Sequence, residues 1–178
     1  MKLEMILLSA SLLNRSVMSL RTGGVVATTE SAIFNPNNLK IEGFYCQDHF
    51  SKKALILLTQ DIRDVLDEGF VIDDHEVLTE VSELVRLKSI LDIRFELIGK
   101  QVETSAKHKV GKVSDFAADD ETFYVQKLYV GQSLLKSLSS GQLSVDRTQI
   151  IEITNRRIVI KELLDPIKSG AIATAPAI

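Results

Sequence analysis

Three histidines, one cysteine and a short run of acids are the residues of this chain best suited to chemistry, and their spacing argues against most of it. His49, His75 and His108 are widely separated, and none has the His-x3-His or His-x-Glu-x-Cys spacing that brings two donors onto one zinc ion. Asp48-His49 reads as a solvated turn. Asp73-Asp74-His75-Glu76 reads as the acidic first turn of a helix, where the helix dipole favours negative charge. Cys46 follows Phe44-Tyr45 in an apolar stretch, the setting of a buried, inert thiol. The serines lack a Gly-x-Ser-x-Gly elbow, and Gly23-Gly24 lacks the lysine and helix of a phosphate loop. The pattern therefore predicts no catalytic, metal or cofactor-binding residues and a chain that is not an enzyme. One charge feature stands out: Lys107-His108-Lys109 with Lys112, joined by Arg156-Arg157. Cations gathered at one end of a domain would engage phosphates or an acidic protein surface. A solvated turn balanced by Asp115, Asp119, Asp120 and Glu121 is the competing reading.

Bulk composition bounds what the rest of the chain can be. With 178 residues, 45% hydrophobic and 25% charged, it suffices for one ordinary domain or two small ones. The net charge of -3 disfavours non-specific nucleic-acid binding as the main task. That charge is uneven: 9 basic face 13 acidic residues through Leu91, and 12 face 11 from Asp92 onward. The single cysteine excludes an internal disulfide framework. Met5-Ile6-Leu7-Leu8 is too short for a signal peptide and is preceded by Glu4. No apolar run reaches the roughly 18 residues of a membrane helix. A soluble, cytoplasmic protein is expected.

The elements that would position these residues occur twice, about 85 residues apart. Leu12-Leu13-Asn14-Arg15-Ser16-Val17 matches Leu97-Ile98-Gly99-Lys100-Gln101-Val102. Gly24-Val25-Val26-Ala27-Thr28 matches Lys109-Val110-Gly111-Lys112-Val113, and Leu39 to Tyr45 matches Phe123 to Tyr129. Asp61-Ile62-Arg63-Asp64-Val65 is set against Asp146-Arg147-Thr148-Gln149-Ile150. Short β-branched runs such as Ala54–Leu58, Phe70–Ile72, Ile150–Ile153 and Ile158–Ile160, punctuated by turn residues, predict strands. A meander of this kind protects its edges by closing into a barrel. Between the copies, Asp73 and Glu76 stand at capping-box spacing, with Val77, Val81 and Leu84 on one helical face. The predicted organisation is a first barrel over 1–73, a helical connector over 74–92, a second barrel over 93–165 and a mobile tail over 166–178. Ser133–Leu138 fits either a turn of helix or a loop. Modules this small are expected to pack together or dimerise across an apolar face.

The second copy, Leu97-Ile98-Gly99-Lys100-x-Val102, then Lys109-Val110-Gly111-Lys112-Val113-x-Asp115, then Phe123-Tyr124-Val125, resembles the PRC-barrel family. That module is known from the H subunit of photosynthetic reaction centres and the C-terminal part of the ribosome maturation factor RimM. The first copy departs from the pattern: Asn14 replaces the first glycine, Val26 the second, and Glu30 stands for Asp115, while Gly23-Gly24 keeps the turn. The resemblance implies a mainly β fold of two tandem PRC-type barrels, with Gly23, Gly24, Gly99, Gly111 and Asp115 as structural motif positions. It also implies a docking or assembly role toward a protein partner, with no cofactor. RimM offers the alternative of a ribosome- or RNA-associated maturation factor, and a homodimer stays open. No pigment ligand or membrane anchor accompanies the resemblance.

Overall fold

In the computed structural model, which describes residues 5–131 and 142–162, the chain is mainly β, with two sheets, one of them a half-barrel, and one short α-helix between them. The first sheet holds β2 (Ser16–Ser19), β3 (Val25–Phe34), β4 (Ile41–Asp48), β5 (Ala54–Leu58), β6 (Ile62–Leu66) and β7 (Gly69–Ile72). The second holds β8 (Gln101–Thr104), β9 (Lys109–Asp119), β10 (Val125–Gly131), β11 (Leu143–Asp146), β12 (Ile150–Ile153) and β13 (Arg157–Ile160). Their spatial orders, β5-β4-β3-β2-β7-β6 and β11-β10-β9-β8-β13-β12, are the same. Each has one parallel contact, β2 with β7 and β8 with β13. The repeat seen in sequence is thus a repeat of topology.

Its physical basis is a set of backbone corners. Asn14 and Gly99 both turn left-handed, at φ 57° and 84°, and their amides donate to the carbonyls of Thr29 and Val113 at 2.8 and 2.7 Å. Asparagine and glycine tolerate that region best. Leu39 and Phe123, at φ 55° and 58°, are bulky residues in the same strained region, and both are buried. Gly111 answers a close approach: a Cβ there would lie 2.0 Å from the Gly131 carbonyl oxygen.

Two sequence alignments between the copies need correction. Register pairs Val17 with Ala27 and Val102 with Gly111, so Ala27, not Val26, occupies the place of Gly111. Likewise Ser31, not Glu30, answers Asp115, because Ser31 pairs with Tyr45 as Asp115 pairs with Tyr129, past a bulge in each strand pair. The cause is one extra residue in the β2–β3 turn, which shifts the repeat by one. At the far end, β6 answers β12, and the 3₁₀ turns Thr59–Asp61 and Arg147–Gln149 precede them. Asp61 therefore corresponds to Gln149 rather than Asp146.

The connector differs most from expectation. Only Lys88–Ile93 is α-helical (α1), and 74–87 holds three 3₁₀ turns, His75–Val77, Val81–Glu83 and Val85–Leu87. The capping box of Asp73 and Glu76 does not form: Asp74 rather than Asp73 stands directly before the first 3₁₀ turn, and both aspartates face arginines. Arg63 grips both Asp73 oxygens, and Asp74 accepts from Arg21 at 2.7 Å and Ser19 at 3.2 Å. Thr79 exchanges backbone hydrogen bonds with Ile56 at 2.8 and 3.0 Å, which pins the segment in extended form. The 166–178 tail and Ser133–Leu138 lie outside the described residues.

The two sheets share one hydrophobic cluster running from Leu12 and Phe44 to Phe116 and Ile160. Phe34 meets Phe116 edge-on at 5.2 Å, and Phe44 meets Phe123 at 6.3 Å. A pseudo-twofold contact joins the β3–β4 and β9–β10 turns: Ile41 N donates to Phe123 O at 2.8 Å, and Val125 N to Leu39 O at 3.0 Å. Arg147 fastens this junction, donating to Asn38 O and Val125 O at 2.7 and 3.0 Å.

A further strand, β1 (Ile6–Leu8), precedes the first sheet in sequence yet pairs with β9 of the second. The N-terminal arm therefore crosses from one copy to the other.

Candidate functional site

The basic residues singled out above lie on the β8–β9–β13 part of the second sheet. Lys107 sits left-handed (φ 66°) in the β8–β9 turn, beside His108, whose ring is 3.8 Å from Glu162. Register places Lys112, Gln101 and Arg157 in one row across three strands, and pairs Lys109 with Glu103. Arg157 is held 3.1 Å from Glu103. Arg156 is exposed in the β12–β13 turn. The cations do not gather at one end. Lys107 to Lys109 stand at one end of β8 and Arg156-Arg157 at the other, three residue steps or roughly 10 Å of strand apart. Two acids, Glu103 and Glu162, lie among them.

The motif positions take part in turns and strand pairing. Gly23 and Gly24 close the β2–β3 turn through hydrogen bonds with Ser19 at 2.9 and 3.0 Å. Asp115 accepts from the Phe116 amide at 2.7 Å, next to the β9–β10 bulge.

A functional reading of the sequence missed a matched pair of cations. Arg15 donates through its guanidinium to Asp67 O, and Lys100 donates to Asn155 O at 2.7 Å. Each basic residue follows its left-handed corner directly, and each clamps the turn before the last strand of its sheet. Lys100 is 9% exposed, and its ammonium lies 4.2 Å from the centre of the Phe95 ring. Burial pushes its pKa down, partly offset by Glu96. The signal was in the sequence: a cation at the same offset in both copies.

The acid–imidazole chemistry also takes a different form. Asp48 pairs with His75, at 2.7 Å, rather than with its neighbour His49, whose ring meets the Thr28 hydroxyl at 2.8 Å. The buried Asp48 carboxylate accepts from the Ser51 amide at 2.8 Å, the Phe50 amide at 3.3 Å and the Ser51 hydroxyl. Burial alone would raise its pKa. The hydrogen bonds from Ser51, His75 and Phe50 outweigh that and hold it well below the usual carboxylate range. This network fastens the connector to the β4–β5 turn. Ser51 and His75 thus meet the two oxygens of one carboxylate, Ser51 on Oδ2 and His75 on Oδ1. Cys46 is buried, and burial pushes its thiol up to about 12, so it is protonated at neutral pH. Among the described residues, no group of three or more histidine, cysteine and acidic side chains is placed to hold a metal ion, and no helix is long and apolar enough to cross a membrane.

Two apolar features remain. At one end of the first sheet, in or beside the β2–β3 and β4–β5 turns, Leu20, Val25 and Phe50 are 64%, 43% and 70% exposed. Between the sheets lies a groove of about 650 Å³ lined mainly by Leu13, Phe34, Phe95, Leu97, Ile98 and Phe116. No protein-family model matches this chain, and no curated protein matches it.

Proposed function

We propose that this chain is a non-enzymatic protein-interaction and assembly module built from two PRC-type barrels. The observation that carries the reading is the duplication itself. One strand order, with the same left-handed corners and the same cation clamp, occurs twice and is fused through a common core. Such a scaffold is rigid at its centre and displays turns and edges at its periphery. Exposed Leu20, Val25 and Phe50, together with the groove between the sheets, supply apolar surface for a partner. The close strand approach at Gly111 and the corner at Gly99 support the PRC-type assignment, since a small barrel needs both. Affinity purification of the tagged chain from the cells that make it, with and without nuclease and at two salt concentrations, tests the proposal. A stable, nuclease-resistant set of proteins is expected, and recovery of nothing reproducible would refute it.

A ribosome- or RNA-associated role is the second reading, favoured by the row of Lys112 and Arg157 and by Lys107 and Lys109 toward the other end of β8. It predicts partners that vanish with nuclease or salt and with exchange of Lys107, Lys109, Lys112, Arg156 and Arg157 for Glu. Association untouched by those changes removes it.

A further inference from the structure

Among the described residues the two sheets differ by one strand, and the difference leaves an open strand edge. In the second sheet, Ile6, Leu7 and Leu8 pair with Asp119, Ala118 and Ala117 along the edge of β9 that β8 leaves free. The matching edge of β3 is Ile33–Phe34, since Phe34 pairs with Ile41 as Ala118 pairs with Val125. β2 and the Asn14-Arg15 corner before it cover β3 from Val25 to Thr29, and among the described residues no strand takes the rest of that edge. Asn35 donates its amide to Lys40 O and its carbonyl accepts from the Asn38 and Leu39 amides, all on the side of the β3–β4 turn, so alternation turns the amide of Phe34 to the open side. An unpaired strand edge is a ready template for another strand. Here it borders the groove lined by Leu13, Phe34, Phe95, Leu97 and Ile98.

By the pseudo-twofold relation, the arm preceding the second copy should cover this edge as β1 covers β9. Instead that arm forms α1, six residues with no buried side chain and no side-chain cap. Helices this short are marginal in water, so α1 is a weak barrier to a competing strand.

Resting on the docking reading above, we propose that the Ile33–Phe34 edge and its groove take a short extended apolar segment of a partner protein, added antiparallel to β3. The occupant's chemistry is set by its counterpart within the molecule: a strand of three or more residues resembling Met5–Leu8, held by backbone hydrogen bonds, with aliphatic side chains entering the groove. The adjacent Arg94 and Glu96 belong to the groove lining and provide polar contacts for its ends.

The test is an NMR titration of the full chain with a peptide copying Glu4–Ala10, alongside the same peptide carrying Leu7→Pro, which removes a backbone donor. Saturable shifts at 31–34 and 94–98, with exchange of the Phe34 amide slowed at least ~10-fold and no response to the proline peptide, are expected. The Ile98→Glu variant changes a half-exposed groove residue and should weaken the peptide at least ~10-fold while the melting temperature holds. Four results would overturn the proposal. They are no saturable shift, shifts confined to 117–119 through displacement of β1, a Phe34 amide already protected by Leu91–Ile93, or unchanged affinity in Ile98→Glu. If stable protein partners are recovered equally well with and without Ile98→Glu, the docking reading stands and the groove is removed from it.

Discussion

The first and second sheets share six strands in the same order, yet one has a seventh strand along its central edge and the other borders a groove there. Their peripheries diverge as well: exposed Leu20, Val25 and Phe50 on the first, Lys107, Lys109 and Lys112 on the second. What is common to both copies is what closes the fold, namely the left-handed corners, the bulges and the cation clamps. What differs lies at turns and edges, where changes cost little stability. Duplication of this kind separates the scaffold from the surfaces it presents.

The largest expected effect breaks the equivalence of Gly111 and Ala27. Gly111→Val places a side chain against the Gly131 carbonyl and should destabilise the protein by about 2 kcal/mol or more, lowering the melting temperature by several degrees. Ala27 occupies the matching register and already carries a Cβ, so the copies answer the same need differently. An unchanged melting temperature in Gly111→Val would show that the strands can separate freely.

The cation clamps come next. Lys100→Met should cost about 1.5 kcal/mol, because the Asn155 carbonyl loses a charged donor while the aliphatic stem is kept. Arg15→Met should act in the same direction on the first sheet. Denaturant unfolding of both variants checks whether the clamps are equivalent, and an effect in only one would make the symmetry superficial.

Acid sensitivity sharpens the contrast from the other side. The folded pKa of Asp48 is depressed, so its contribution is fully present above the unfolded value of about 3.9 and is lost as pH falls from there toward the folded value. Asp48→Asn should therefore flatten the loss of stability below about pH 4 while lowering stability near neutrality. Thermal melts across pH 2 to pH 7 read this out, on the order of the range in which buried carboxylates titrate. Parallel pH profiles for the two proteins would contradict the role given to the Asp48–His75 network.

The smallest effect concerns the turns before β6 and β12. Asp146 and Gln149 form a capping box in the second copy, whereas Leu58 at the matching place has no side-chain cap. Asp146→Ala should cost about 1 kcal/mol in a melt, and Leu58→Asp with Asp61→Gln should recover part of that in the first copy. No difference would mean that the caps are incidental.

Much of the scaffold was legible in the sequence because its corners demand particular residues. Asn14 and Gly99 at the same offset, followed by Val-rich runs, mark the start of each sheet. The β3–β4 and β9–β10 alignment is legible from Leu39–Tyr45 and Phe123–Tyr129, whose apolar pattern survives in both. The connector was not legible, since the helical spacing of Val77, Val81 and Leu84 is overruled by the Thr79–Ile56 pairing and by the arginines holding Asp73 and Asp74. Nor was the crossing of β1: Met5-Ile6-Leu7-Leu8 is a short apolar run that carries no information about which sheet it joins. Pairing the acids Asp61 and Asp146 by type misled, because one ends its 3₁₀ turn and the other caps its start. Of the candidate basic patch, composition gave the residues, but only the parallel β8–β13 pairing separates Arg156-Arg157 from Lys107 to Lys109.

One scaffold occurs twice, and among the described residues a strand lines the central edge of only one copy. Amide hydrogen exchange of the intact chain at Phe34 and Ala118 tests it directly. Strong protection at Ala118 and fast exchange at Phe34 is the predicted result; equal protection at both would mean that the first sheet's edge is already covered and that the asymmetry does not exist.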